Sequence, residues 1–217
     1  MGVIPLAVYA RAPLPGVAKT RLAPALGPDG AATLYAAFID DTLATCVRVA
    51  EVSPSVWVAG DPDEPSVAGR CGTLPRSRQA EGDLGARMGA TLDEQIQSHR
   101  AGIVIGSDSP TLPAAYLGRA AALLAAGAAV VLGPSADGGY YLVGACGCVP
   151  PILDGVRWSS PHTLADTVRA CRNARIEPRF LPPWYDVDTP EDLRLLRAHL
   201  AVRPRAAPAT ARSLGLF

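Results

Sequence analysis

Apolar residues fall along the chain in short unbroken runs separated by longer stretches with helical spacing. Residues 3–9 (VIPLAVY) form one such run, closed by the Pro- and Gly-containing loop RAPLPG, which is the pattern of a buried strand. Residues 55–59 (SVWVA), 102–106 (GIVIG), 129–133 (AVVLG) and 140–145 (YYLVGA) repeat it, most clearly at 102–106. Leu34, Phe38 and Leu43 lie near helical spacing and predict a helix ending near residue 50. Further helices are expected over 85–98, 113–126, about 161–172, and 189–201. Strands that are apolar throughout and alternate with helices predict an α/β fold with a mostly parallel sheet covered on both faces. The expectation is a single-domain, Rossmann-like three-layer sandwich over residues 1–201. Residues 202–217 are Ala/Pro/Arg-rich without periodicity and are expected to be a mobile tail.

Composition narrows the classes. A chain of 217 residues, 49% hydrophobic and 18% charged, can bury a substantial core and is not a disordered polymer. Its formal net charge of zero argues against a bulk nucleic-acid binder while leaving room for a local basic pocket. Five cysteines, an odd number without framework spacing, point to reduced thiols. Cys146 and Cys148 have no second pair to complete a soft-metal site, and His99, His162 and His199 lack ligand spacing. No apolar run is long enough to span a bilayer. The expectation is a cytoplasmic protein, monomeric or homodimeric, with neither nucleic acid nor membrane as partner.

In parallel sheets ligands bind outside the carboxyl ends of the strands, so the loops there carry the candidate chemistry. The first, RAPLPGVAKTRLAP (11–24), holds Arg11, Gly16, Lys19 and Arg21, and Lys19 is the single lysine among twenty basic residues. These residues could cradle a polyphosphate, or they could form a solvated basic loop. The P-loop pattern is absent, because its first glycine is missing and no glycine directly precedes Lys19.

GSDSPTL (106–112) places Asp108 where a carboxylate can hold Mg²⁺ bridging substrate phosphates, although simple turn chemistry explains an Asp there nearly as well. YDVDTPEDL (185–193) alternates Asp186 and Asp188 before a helix start capped by Thr189 or Asp188. A cap does not require two upstream carboxylates, so Asp188 is the second candidate metal ligand. In PSADGGYYLVG (134–144), Asp137, Gly138 and Gly139 make either a hairpin turn or, with Tyr140 and Tyr141, a close backbone approach beside an aromatic wall. In EGDLGARMG (81–89), Gly82, Asp83, Gly85 and Arg87 mark a helix start that could face a nucleotide; taken alone, an Asp cap is the simpler reading. No Gly-x-Ser-x-Gly elbow is present.

In order, these five motifs resemble an uncharacterised bacterial family of glycosyltransferase-A (GT-A) type within the nucleotide-diphospho-sugar transferase superfamily. In the same motifs the chain resembles 2-phospholactate guanylyltransferase and, more distantly, the molybdenum-cofactor guanylyltransferases. The resemblance spans about residues 3–200 and implies the corresponding single-domain fold. It implies Mg²⁺, or Mn²⁺, held by Asp108 and Asp188, and a triphosphate loop of Arg11, Lys19 and Arg21. It also implies a nucleotide-lining segment with Gly82, Asp83, Gly85 and Arg87, and an acceptor- or sugar-facing segment from Asp137 to Tyr141. Position 11 is Arg where the family more often has Lys, and SADGGYY departs from the Asp-Gly-Gly-Thr pattern of the phospholactate enzyme.

Three functions compete. A nucleotidyltransferase would move NMP from an NTP to a small phosphorylated or phosphonate-like acceptor, releasing pyrophosphate, with Lys19, Arg21 and Asp108 as its catalytic groups. A glycosyltransferase would use an NDP-sugar donor. A non-catalytic nucleotide sensor could use the same fold. Three cations on one stiff loop suit a triphosphate better than a diphosphate, which favours the first.

Overall fold

The computed structural model describes residues 2–147 and 151–216. A seven-stranded sheet runs in the order β3-β2-β1-β4-β6-β5-β7. Its strands are β1 (Ile4–Arg11), β2 (Val52–Ala59), β3 (Arg76–Arg78), β4 (Ala101–Gly106), β5 (Val130–Pro134), β6 (Tyr140–Cys146) and β7 (Arg179–Phe180). All neighbours pair in parallel except β6, which is antiparallel to both β4 and β5. The helices are α1 (Ala23–Cys46), α2 (Pro65–Cys71), α3 (Leu84–His99), α4 (Ala114–Ala125), α5 (Thr163–Asn173), α6 (Pro190–Val202) and α7 (Pro208–Ser213).

The period-2 geometry of the strands divides the core into two layers. Leu6, Val8, Ile103, Ile105 and Leu142 face α1, α2, α4, α6 and α7, where they meet Leu34, Phe38, Leu117 and Leu196. Ala7, Tyr9, Val104, Leu132 and Val143 face α3 and α5, against Met88, Leu92 and Cys171. This is the expected three-layer α/β sandwich.

Several local features refine it. Gly27 (φ +72°) breaks the start of α1, and Pro28 follows it. Strand β2 begins at Val52, earlier than expected, and accommodates Pro54. The Val56 amide turns toward the β3 side, to Pro75, so Pro54 two residues earlier lacks its N–H where β3 has not yet begun. The hydrophilic edge strand β3 (RSR) and the short α2 have no apolar run to announce them.

Residues 202–216 are folded onto the body of the protein, in place of the mobile tail expected over 202–217; residue 217 lies outside the described residues. A turn over Pro204–Ala206 leads into α7, with Ala207 and Ala211 buried against the α1 layer. The buried carboxylate of Asp41 on α1 accepts the Ala209 and Thr210 amides at 3.0 and 2.7 Å, satisfying free donors at the start of α7. Small alanines give no strong periodic signal, yet they let the helix dock closely. Among the described residues Cys46, Cys71, Cys146 and Cys171 are free thiols; Cys148 lies outside them. No helix among the described residues is long and apolar enough to cross a membrane.

Candidate active site

A cleft of about 630 Å³ opens at the carboxyl ends of β1, β2 and β4 and the amino end of β6. Its floor is organised around Lys19. The loop before it is folded by Val17 and Ala18 amides donating to the Leu14 carbonyl, and Ala18 and Leu22 are buried on either side. Lys19 itself takes a left-handed backbone (φ +51°), which turns its side chain inward. Its ammonium lies 2.6 Å from Asp108 Oδ1 and 2.6 Å from Asp188 Oδ1, and its side chain is only 4% exposed. The Tyr35 and Phe38 rings stand 5.6 and 5.7 Å from it, within cation–π range.

Burial opposes the charge on Lys19, but the two carboxylates more than offset it and raise its pKa above the ordinary lysine value. Burial likewise opposes ionisation of Asp188, and Lys19 overrides it to hold that carboxyl below its usual range. The segments bearing the two acids are joined by the Val187 amide, which donates to the Asp108 carbonyl at 2.9 Å. Thr189, not Asp188, caps α6 in a reciprocal capping box with Asp192. The Asp188 side chain is thereby left for the cleft. Asp186 turns the other way and accepts from the Ser109 and Ser135 hydroxyls; burial pushes its pKa up to about 6.

Among the described residues no group of three or more His, Cys, Asp or Glu side chains is gathered for a metal. Asp108 and Asp188 nevertheless suit a hard divalent cation. Both offer oxygen donors, both converge on a point held by an ammonium, and both are partly open to the cleft at 42% and 34% exposure. Such cations commonly use one or two carboxylates and complete their shell with water and phosphate oxygens.

Around this floor the cleft has two different walls. On the β1–β2 side, Arg11 is exposed and Arg21, 71% exposed, approaches Asp188 Oδ2 at 3.5 Å. Arg87 on α3 donates to Gln79 Oε1 at 3.0 Å, while the Gln79 amide donates to the Trp57 carbonyl at 2.8 Å. On the β6 side stand Asp137, Gly139, Tyr140 and Trp158, the last on the connection between β6 and α5. Arg157 and Arg169 grip the buried Asp166 carboxylate from two sides, with Arg157 contacts of 2.7 and 2.9 Å. Hydrogen bonds from Arg157 hold the Asp166 carboxyl far below the usual range.

Residues 42–160 match the bacterial family described as "Uncharacterized protein conserved in bacteria (DUF2064)". The chain belongs to that family. It is 32% identical to a protein of Desulfovibrio desulfuricans G20 described as a "putative nucleotide-diphospho-sugar transferase". That alignment covers 90% of this chain and 87% of the other, with a TM-score of 0.82. CMP:2-keto-3-deoxy-manno-octonic acid synthetase, solved with CTP, shares the fold at 15% identity and a TM-score of 0.56, over 93% of this chain and all of that one. Rv0371c of Mycobacterium tuberculosis H37Rv, solved with manganese, does so at 16% identity and 0.54, over 90% and 98%. No curated protein matches the chain in sequence.

The DUF2064 chain therefore brings Arg11, Lys19, Arg21, Arg87, Asp108, Asp137, Gly139, Tyr140, Tyr141 and Asp188 to one cleft. It does not bring all the expected residues there. Asp83 is the N-cap of α3, its carboxylate accepting the Ala86 amide at 2.8 Å. Gly85 faces Trp158: a Cβ at this position would lie 2.7 Å from the indole. Gly82 and Gly16 shape turns through positive φ and lie outside the lining. Gly138 fits against the Pro161 carbonyl, where a Cβ would sit at 2.3 Å. The Tyr141 hydroxyl is spent on the Pro182 carbonyl at 2.9 Å. Lys19 is a buried bridge between carboxylates and not a free phosphate ligand on the rim. Gln79, Asp186 and Trp158 were missed as lining residues. Asp186 alone left a trace, in its alternation with Asp188; Gln79 and Trp158 are single residues in polar loops.

Proposed function

We propose that the cleft performs nucleotidyl transfer: an anionic oxygen of a small phosphorylated or phosphonate-like acceptor attacks the α-phosphorus of an NTP. The new P–O bond forms as the bond to the β-phosphate's bridging oxygen breaks, and pyrophosphate leaves with that electron pair. An ionised nucleophile surrenders no proton, so no general base is required. The observation that carries this reading is the convergence of Asp108 and Asp188, from two separate loops, on the Lys19 ammonium at 2.6 Å each, in a cleft also lined by the exposed Arg11 and Arg21. Such a floor suits a cation and a polyanion stacked above it.

A divalent ion, Mg²⁺ or Mn²⁺, bound through Asp108 and Asp188 would supply charge neutralisation at the α-phosphate. Lys19 fixes the spacing of those carboxylates and favours the ionised form of Asp188. Arg21 and Arg11 meet charge on the departing pyrophosphate, and Arg87, oriented by Gln79, borders the nucleotide. The manganese bound by Rv0371c and the CTP bound by the octonic acid synthetase support this reading by fold alone. The motif resemblance makes GTP the first nucleotide to test.

The description of the Desulfovibrio relative favours a second reading, glycosyl transfer from an NDP-sugar. Pyrophosphate release with Mg²⁺, each NTP and a panel of phosphorylated acceptors decides between them. Nucleotidyl transfer predicts acceptor-dependent pyrophosphate. Free NDP from an NDP-sugar, with no pyrophosphate from any NTP, would establish the other.

A further inference from the structure

The wall on the β6 side is built more firmly than a connecting loop needs to be. The Arg157 carbonyl accepts the Ser160 and Thr163 hydroxyls, both at 2.8 Å, and its guanidinium is locked on Asp166. The Leu164 amide donates to the Gly138 carbonyl at 2.9 Å, tying this segment to the β5–β6 turn. Ser159 sits in a left-handed backbone (φ +53°) at the centre of these ties. Strain of that kind persists only where its surroundings over-determine it. What the segment presents to the cleft is Trp158, half-buried, edge-on to Tyr140 with ring centroids 6.3 Å apart and seated on Gly85 of α3.

The chemistry around these rings is specific. The Asp137 carboxylate borders the same wall, its Oδ1 accepting the Gly139 amide while no hydrogen bond among the described residues engages Oδ2. Ser159 adds an exposed hydroxyl. Aromatic carbon lining the cleft beside a carboxylate and a hydroxyl matches a carbon skeleton that is apolar on its C–H face and carries O–H donors. A carboxylate there repels any anionic group placed beside it, so the part of the acceptor that meets this wall is uncharged and its phosphate lies toward the floor. Across the sheet, β6 lies on the opposite side of β4 from the guanidinium-bearing loop after β1, so polyphosphate and this wall occupy different ends of the cleft.

We infer that Trp158 is a binding residue for the acceptor, and that the acceptor is the monophosphate of a polyhydroxylated carbon body, a sugar or cyclitol, and not a short phosphorylated carboxylic acid. This rests on the nucleotidyl-transfer reading for the word acceptor, but the binding claim can be tested without turnover. Glucose 1-phosphate, inositol 1-phosphate, phosphoenolpyruvate and Mg²⁺–GTP are titrated separately into the wild-type protein and Trp158→Phe while tryptophan emission is recorded. The expected result is a saturable change with a polyol phosphate that Trp158→Phe loses, and a GTP response the same in both proteins. A GTP response that depends on Trp158 overturns the inference, because the wall would then serve the base. So does a phosphoenolpyruvate response equal to that of the polyol phosphates.

In pyrophosphate assays Trp158→Ala should raise the KM for the polyol phosphate about tenfold or more, the loss expected of one stacking contact, with the GTP KM unchanged; Trp158→Phe should restore part of it. Gly85→Ala is the second variant. Alanine ordinarily favours a helix over glycine, so a raised acceptor KM in a protein of undiminished thermal stability would act through displacement of the indole. An unchanged acceptor KM in all three variants overturns the inference. Absence of pyrophosphate with every acceptor overturns nucleotidyl transfer while leaving the emission comparison intact.

Discussion

The floor of the cleft and its β6-side wall are held by the same kind of device, an ion pair around a buried group, with the polarity reversed. At the floor a buried ammonium, Lys19, is shared by the partly exposed carboxylates of Asp108 and Asp188. At the wall the buried carboxylate of Asp166 is shared by the exposed guanidiniums of Arg157 and Arg169. The first leaves carboxylate oxygens facing the cleft, where they can act on a cation. The second keeps its charges outside the cleft and leaves aromatic surface inside. The difference shows how one motif of charge sharing serves chemistry in one place and positioning in the other.

The largest break in the comparison is expected from Asp108→Asn. It removes the charge of one of two candidate metal-binding carboxylates while Lys19 keeps Asp188, so pyrophosphate release should fall by about a thousandfold. Circular dichroism should show the fold intact. Wild-type turnover in this variant would remove Asp108 from the chemistry.

Lys19 comes next. Lys19→Met leaves two neighbouring carboxylates without their cation. Breaking a fully buried pair costs about 3–5 kcal/mol. Here both acids reach solvent, so about 1–2 kcal/mol is the expected loss in urea unfolding at neutral pH. Lys19→Arg keeps the charge, but a planar fork replaces a compact ammonium between the two oxygens and two rings. Its turnover should fall about tenfold to a hundredfold by the same pyrophosphate assay. Arginine matching lysine here would mean that charge alone matters at this point.

Asp166 gives the wall its own pH signature. Its folded pKa lies below that of the unfolded chain, so its contribution is present above the ordinary carboxylate pKa of about 4 and is lost as the pH falls through the lower folded value. Trp158 emission in the wild type should stay native down to pH 4 and change only in stronger acid. Asp166→Asn should show the loosened emission already at pH 7, with a raised acceptor KM and an unchanged nucleotide KM. Emission that is insensitive to both changes would separate Trp158 from this clamp.

The smallest effect is expected at the rim. Arg21 is mostly exposed and 3.5 Å from Asp188. Arg21→Ala should raise the nucleotide KM about threefold to tenfold and weaken its dependence on salt, as loss of a rim charge does. A fall in turnover with no change in KM would place Arg21 in the transition state instead.

Strands β1, β2, β4, β5 and β6 were legible because each carries its own apolar run, whereas the edge strands β3 (RSR) and β7 (RF) carry none; the loops at the carboxyl ends followed from the α/β pattern. Lys19 and Asp108 were legible as chemistry-bearing types after strands, and Asp188 as a carboxylate just before a helix start. Their joint geometry was not, since Lys19 and Asp188 stand 169 positions apart in the chain. Asp83 and Gly85 looked alike as members of one nucleotide-lining motif, and only packing separated the helix cap from the seat of an indole. The alanines of α7 carried no visible signal because their contribution is closeness of approach, which requires α1 to be in place.

By itself the sequence determined an α/β sandwich, the strand-end loops that bear charge, and two acids beside a solitary lysine. Periodicity and turn chemistry act over a few neighbouring residues, and so they can be read there. The tertiary structure decided that β6 runs against its neighbours, that Lys19 points inward to join two carboxylates, and that Trp158 walls the cleft from Gly85. Those outcomes depend on the path of the whole chain, because burial and ion pairing act on residues that distant segments bring together.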